Sequence, residues 1–218
     1  LILGRYRRLR LLGSGAFAKM YLALDTYTST HVAIKLLAPD NAQIARHEHA
    51  LLIRLRRRNS KHFVRVFSFF AGDEEQEGGT GLVMELLDSA TPLALPACEH
   101  AGVGHDLLSC PERIHELARL ASQLFAGLHE LHSLGYIHAD LKPENILYVP
   151  AHASLPGTVK IIDLGNAVAK QDLVLYHDDF EIQSLGYRAP EVILGDEGFD
   201  ERVDIWSVGV ILLELLVG

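Results

Sequence analysis

His138-Ala139-Asp140-Leu141-Lys142-Pro143-Glu144-Asn145, continued by Ile146-Leu147, is the stretch on which the reading of this chain turns. It sets an aspartate, a lysine and an asparagine close together ahead of a short apolar run. Asp163-Leu164-Gly165 and then Ala189-Pro190-Glu191 follow it in order. Each fragment is unremarkable alone. The ordered set at these spacings is too specific to be chance.

Toward the N-terminus, Leu12-Gly13-Ser14-Gly15-Ala16-Phe17-Ala18 reads as a glycine-rich turn between strands expected at Tyr6–Leu12 and Lys19–Asp25. Glycines let backbone N–H groups approach phosphate oxygens with no side chain between, although a plain hairpin turn has the same composition. No GK[ST] opens a helix here, so this is not a Walker loop. A third strand, His31 to Leu37, carries Val32-Ala33-Ile34-Lys35. A lysine on an apolar strand is costly to bury unless an anion meets it. The helix expected over Asn41–Arg57 has an apolar stripe of Ile44, Leu51, Leu52 and Leu55, and offers Glu48 on the same side as Leu52.

Together these features resemble the catalytic domain of a eukaryotic protein serine/threonine kinase, from about Tyr6 through Gly218. The resemblance implies an α+β, bilobal protein-kinase-like fold. Residues 1–87 would be the small lobe and hinge. Residues 88–218 would be a partial large lobe, truncated after the anchor helix that begins near Asp204-Ile205-Trp206. It implies ATP and Mg2+ as cofactors and protein substrates as partners. By the family pattern, Asp140 orients the substrate hydroxyl and accepts its proton, and Lys142 neutralises charge at the transferred group. Asn145 and Asp163 hold magnesium, while Lys35, positioned by Glu48, holds phosphates beneath Leu12, Gly13 and Gly15. Met20 and Ala33 cover the adenine from above and Leu147 from beneath, with Met84 as gatekeeper and Glu85 to Leu87 as hinge. An ordinary core role stays open for each of those apolar residues.

Ile182-Gln183-Ser184-Leu185-Gly186-Tyr187-Arg188-Ala189-Pro190-Glu191 resembles the activation-segment end of the CMGC group, particularly the dual-specificity tyrosine-regulated and homeodomain-interacting kinases. Asp163-Leu164-Gly165-Asn166-Ala167 is similar to SR-protein kinases. In this group an arginine at Arg188 favours proline after the target serine or threonine. Three positions depart from the pattern: Glu181 stands for the activating tyrosine, Leu185 for the arginine that would meet its phosphate, and Ala139 for the arginine before the catalytic aspartate. These imply activity independent of activation-loop phosphorylation, with Tyr176 or Tyr187 as substitute sites on the opposing view. Ala18 replaces the third loop glycine and would be strained at positive φ. Glu191 has no partner in the sequence as it stands. A pseudokinase scaffold of the same fold is the alternative function, and a small-molecule kinase a more distant one.

Composition sets the bounds. The 218 residues are 49% hydrophobic and 22% charged, an ordinary globular balance. A formal charge of -8 argues against indiscriminate nucleic-acid binding. The run Arg54, Arg56, Arg57 and Arg58 reads as a solvated helix end, or else as a nuclear-targeting or docking patch. Cys98 and Cys110 form no disulfide framework and read as reduced thiols in an intracellular protein, nuclear or cytoplasmic. LILGRYRRLR is no signal peptide. IWSVGVILLELLVG falls short of the about 18 residues of a membrane span and contains Glu214, so a buried helix is expected. Gly72 to Gly81 reads as an acidic exposed turn, Asp88 to Ser109 as a surface insertion, and Pro111 to Leu134 as a long helix. Short strands follow near Ile146–Val149 and Val159–Ile162, then an irregular stretch, then helices from Pro190 and Val203. Oligomeric state is not encoded in any of these features.

Overall fold

The computed structural model describes residues 1–15, 17–71, 79–87, 90–95, 111–152, 156–176 and 182–217. The expectations placed on Ala16, on most of the acidic turn, on most of the insertion with both cysteines, and on Glu181 lie outside these residues. The chain divides into two compact units, Leu1–Ser89 with Asp163–Gly165, and Ala90–Ile162 with Asn166–Gly218.

The first unit is a five-stranded antiparallel sheet with one long helix. Strands β1 (Tyr6–Ser14), β2 (Ala18–Asp25), β3 (Thr30–Leu37), β4 (Val66–Ala71) and β5 (Thr80–Glu85) lie in the order β1-β2-β3-β5-β4. Successive strand residues point to opposite faces, so the register assigns every side chain. One face gathers Tyr6, Ala23, Val32, Ile34, Phe70 and Val83 into a core, closed by Ile2 from the N-terminal segment. Arg5 pins that segment: its guanidinium donates to both carboxylate oxygens of Asp25 and lies 5.0 Å from the Tyr6 ring centroid. The other face carries Ala33, Lys35, Leu82 and Met84, and α1 (Ala42–Arg57) packs on strands β4 and β5. Helix α1 buries Ala45, Glu48, Leu51, Leu52 and Leu55, and each leucine contributes roughly 2 kcal/mol by leaving water. Arg54, Arg56 and Arg57 fall in its last turn, where cations suit the helix dipole.

Phe63 and Val64 are buried ahead of β4. One boundary differs from the sequence reading. Thr80 and Gly81, expected in an exposed turn, open β5 and are buried. Gly81 sits there because nothing larger fits. A Cβ would lie 2.4 Å from the Lys35 carbonyl oxygen and 2.8 Å from Phe70 Cζ.

The second unit is mostly helical. Helix α2 (Pro111–His132) begins on proline, whose missing N–H costs nothing in a first turn, and buries Leu120, Leu124, Leu128 and Leu131 at helical spacing. Gly135 follows it at φ +82, a conformation that favours glycine. A three-stranded sheet joins β6 (Thr91–Pro92), β8 (Ile146–Val149) and β9 (Thr158–Ile161). Strand β7 (Tyr136–Ile137) pairs with β10 (Val168–Ala169), two short strands the sequence did not announce. Helix α3 is a single turn (Pro190–Ile193), and α4 (Arg202–Val217) buries Val203, Asp204, Ser207, Val208 and Ile211. Among the described residues no helix is long and apolar enough to cross a membrane.

Gly81→Ala is expected to destabilise the chain by about 2 kcal/mol or more, since backbone oxygen cannot yield to a methyl group. An unchanged urea midpoint would show that β3 and β5 are not this close.

Candidate active site

Lys35 extends from β3 into the region between the sheet and α1 and is 7% exposed. Its Nζ donates to Glu48 Oε2 at 2.7 Å and to Asp163 Oδ1 at 2.8 Å. Burial is the largest influence on the ammonium and would lower its pKa. The charges and hydrogen bonds of Glu48 and Asp163 outweigh it, so the net direction is upward. Glu48 is driven up by burial, with the Lys35 charge opposing. Asp163 differs from both: its side chain is 45% exposed. It sits at φ +62 with Oδ1 accepting the Gly165 N–H at 3.3 Å. A Cβ on Gly165 would come within 3.1 Å of Ile44 Cγ2 on α1, so glycine lets the two segments approach.

The same sheet carries the other residues assigned to nucleotide contact in this unit. Met20 pairs with Gly13 on one side and Lys35 on the other, and Ala33 pairs with Met84. Leu12 lies at a register shift in β1, between Leu11 and Gly13. A Cβ at Gly13 would meet nothing within 4 Å, so packing does not explain that glycine. The Gly15 N–H donates to the Ala18 carbonyl at 2.8 Å. Ala18 opens β2 in extended conformation, and the strain expected at positive φ does not arise. Glu85 is tied to Arg65: its N–H donates to the Arg65 carbonyl at 2.9 Å, and its carboxylate accepts Arg65 N and Nε. Leu87 follows the end of β5.

In the second unit the loop after β7 brings Asp140, Lys142 and Asn145 together. Lys142 Nζ donates to Asp140 Oδ2 at 2.9 Å, and Asn145 Nδ2 donates to the Asp140 carbonyl at 2.8 Å. That bond uses the donor end of the amide. Two contacts were not foreseen. Ser184 Oγ donates to Asp140 Oδ1 at 2.6 Å and accepts from Lys142 Nζ at 3.1 Å. Asn166 Nδ2 donates to Asp140 Oδ2 at 3.3 Å. Both residues belong to quoted motifs, but their distances to Asp140 in sequence hid the contact. Leu147 lies on β8, opposite Pro92 and Lys160.

This loop is fastened from behind. Asp204, fully buried on α4, accepts the His138 N–H at 2.8 Å and the Ala139 N–H at 3.1 Å, and lies 2.8 Å from His132 Nε2. Ala139, at φ +63, accepts the Gln183 N–H through its carbonyl. Its methyl belongs to an apolar cluster with Leu173, Ile182 and Val192. Leu185 is 76% exposed. Gln183, at φ +66, has its carbonyl capped by Arg188 Nη2 at 2.8 Å and Nε at 3.2 Å. Tyr187 donates to Glu214 at 2.9 Å, and its phenol is pushed up to about 12, by partial burial first and then by Glu214 and Glu144.

Among the described residues no three His, Cys, Asp or Glu side chains converge as a metal cage. Asp163 and Asn145, in separate units, offer hard oxygen donors of the kind magnesium takes alongside water and phosphate.

The sequence matches the protein kinase domain family over residues 6–218. It is 36% identical to Homeodomain-interacting protein kinase 1 of Caenorhabditis elegans, an alignment covering 98% of this chain and 24% of that protein. It is 35% identical to the stress-activated protein kinase JNK of Drosophila melanogaster, covering 98% of this chain and 53% of that one. The chain thus spans about a quarter to a half of the length of these curated relatives, which are CMGC-group kinases. A crystal structure of a kinase domain superposes with a TM-score of 0.71 at 24% identity, covering 99% of this chain and 65% of the other.

Two expectations follow from this geometry. Lys35→Met leaves Glu48 buried without its counter-charge and should cost about 3 kcal/mol in urea denaturation, while Glu48→Gln, which keeps an acceptor, costs less; equal and small losses would contradict the pairing. The raised Tyr187 pKa means that the folded state favours the neutral phenol. Its stabilising contribution is complete below pH 10 and lost as pH rises through about 12. Glu214→Gln should therefore shift one tyrosinate transition downward in an absorbance titration, and an identical curve would refute the contact.

The strand-rich and helical units, in one α+β chain, have the protein kinase fold, in a family that uses ATP with Mg2+. This chain belongs to the protein kinase domain family.

Proposed function

We propose that this chain is the catalytic domain of an intracellular protein serine/threonine kinase, nuclear or cytoplasmic, whose preferred sites carry proline after the acceptor. Residues 1–87 serve as the nucleotide-holding lobe and hinge and 88–218 as the catalytic part of the large lobe. One observation carries the reading: Asp140 already holds an aliphatic hydroxyl, that of Ser184, at 2.6 Å, with Lys142 bridging both groups. A carboxylate that accepts one serine hydroxyl proton in a hydrogen bond, beside a fixed cation, is suited to orient a second and take its proton.

MgATP supplies the phosphoryl group. Lys35 anchors its phosphates, with Glu48 fixing the ammonium, and Asp163 and Asn145 hold the metal. Leu12, Gly13, Gly15, Met20, Ala33, Met84, Glu85, Leu87 and Leu147 frame the nucleotide. Exposure of Asp163 supports this division, because the carboxylate is open to a ligand while Glu48 is not.

Proline preference is supported by Gln183. Its left-handed backbone turns the carbonyl toward Arg188, which occupies it with two donors. A substrate residue with a backbone N–H finds that acceptor already engaged, whereas proline brings no N–H to satisfy. Phosphorylation-independent activity is supported by Ala139, whose apolar surroundings replace a phosphate-reading cation. Nearby Lys170 pairs with Glu201 and Arg202 with Asp200.

Transfer of radiolabelled phosphate tests the whole reading on the full-length protein. Asp140→Asn should lower it by at least about 100-fold. Serine–proline peptides should outperform serine–alanine peptides, Arg188→Ala should erase the difference, and phosphatase treatment should leave activity intact. A folded, ATP-binding protein that transfers nothing would be a pseudokinase scaffold.

A further inference from the structure

Among the described residues, Asp140 receives three side-chain donors, unevenly shared. Of these, Oδ1 accepts Ser184 Oγ, at 2.6 Å, whereas Oδ2 accepts Lys142 Nζ at 2.9 Å and Asn166 Nδ2 at 3.3 Å. Each carboxylate oxygen offers about two lone-pair directions. Oδ2 is therefore filled, and Oδ1 keeps one direction open.

We propose that Asn166 is a positioning residue for Asp140: by filling the second acceptor direction of Oδ2, it makes Oδ1 the atom that receives the substrate hydroxyl. This rests on the reading of Asp140 as the base of a protein kinase. In the transfer, the substrate oxygen forms the new bond to phosphorus as the bond to the nucleoside diphosphate breaks. The leaving oxygen keeps that electron pair, and the hydroxyl proton passes to Asp140 Oδ1. Asn166 moves no proton. It selects which oxygen does.

The local backbone makes such a role feasible. Asn166 is exposed, but Ala167 and Val168 just after it are buried, and Val168 pairs with Ile137 in the ladder between β10 and β7. The side chain thus projects from a fixed backbone, and its exposure means that replacing it disturbs little packing. The backbone bearing Asp140 is fixed equally well, through the bonds of His138 and Ala139 to Asp204. Two rigid segments place an amide beside a carboxylate that accepts just one more donor.

The test compares Asn166→Leu, similar in size but without a donor, with Asn166→Gln, which retains an amide, in full-length protein. Asn166→Leu should lower kcat about five- to tenfold, the worth of one hydrogen bond, with KM for ATP and the melting temperature unchanged. Asn166→Gln should recover part of the loss in kcat. A wild-type kcat in Asn166→Leu would overturn the proposal, as would a loss appearing wholly in KM for ATP. If Asp140→Asn abolishes transfer while Asn166→Leu is silent, only the positioning role falls. If Asp140→Asn retains transfer, or the wild type has none, the functional reading falls with it.

Discussion

The buried carboxylate of Asp204 is the constraint on which the rest of the second unit depends. A carboxylate with no solvent exposure costs several kcal/mol unless its lone pairs are satisfied. Here the donors are mainly backbone N–H groups, from His138 and Ala139, with the ring of His132 closing the set. Backbone donors cannot swing away as a lysine can. Satisfying Asp204 thus fixes the chain immediately before Asp140, and it ties α4, the end of α2 and the loop after β7 into one arrangement. The apolar residues of α4 bury this helix, but the aspartate fixes the loop against it.

Left-handed backbone recurs at three of the residues described above. Ala139, Asp163 and Gln183 all adopt left-handed backbone, unfavourable for residues with a Cβ. Each is held by more than one bond. Ala139 is engaged through both its N–H and its carbonyl, Asp163 through Lys35 and the Gly165 N–H, and Gln183 through its backbone, its carbonyl and its side chain. Gln183 is the most constrained: its amide donates to the Val203 carbonyl and Ser207 Oγ and accepts the Ala189 N–H. Such over-determination lets a protein keep unfavourable dihedrals where side-chain direction matters. The Arg188 cap on the Gln183 carbonyl is a direct product of that backbone turn.

Much of the fold was legible because its signals are local. The strands at Tyr6, Lys19 and His31, helix α1, and the start of α2 at Pro111 all announce themselves through periodicity or proline placement. What was missed is non-local. β7 and β10 are two residues each, too short for a pattern, and exist because distant segments meet. Gly81 resembled a turn because glycine usually signals one, while its real reason is a carbonyl on the neighbouring strand. In the site, Lys35 with Glu48 was readable because strand and helix are adjacent in sequence. Ser184 and Asn166 were visible as letters in motifs, but their contact with Asp140 depends on tertiary structure.

The two units handle buried charge by opposite means, and the difference suits different tasks. Asp204 is held mainly by fixed backbone N–H dipoles, with the His132 ring beside them, an arrangement that leaves it little freedom. Lys35 is neutralised by two carboxylates, of which Glu48 is sealed and Asp163 is open to solvent. An ammonium has three donors and no preferred plane, so it can keep one carboxylate while exchanging another anion for the second. Glu48, held on a helix packed by three buried leucines, is the partner that stays. Asp163 is the partner that faces solvent. Rigidity is thus placed around Asp204 and the chain just before Asp140. The pairing around Lys35 has one sealed partner and one exposed partner.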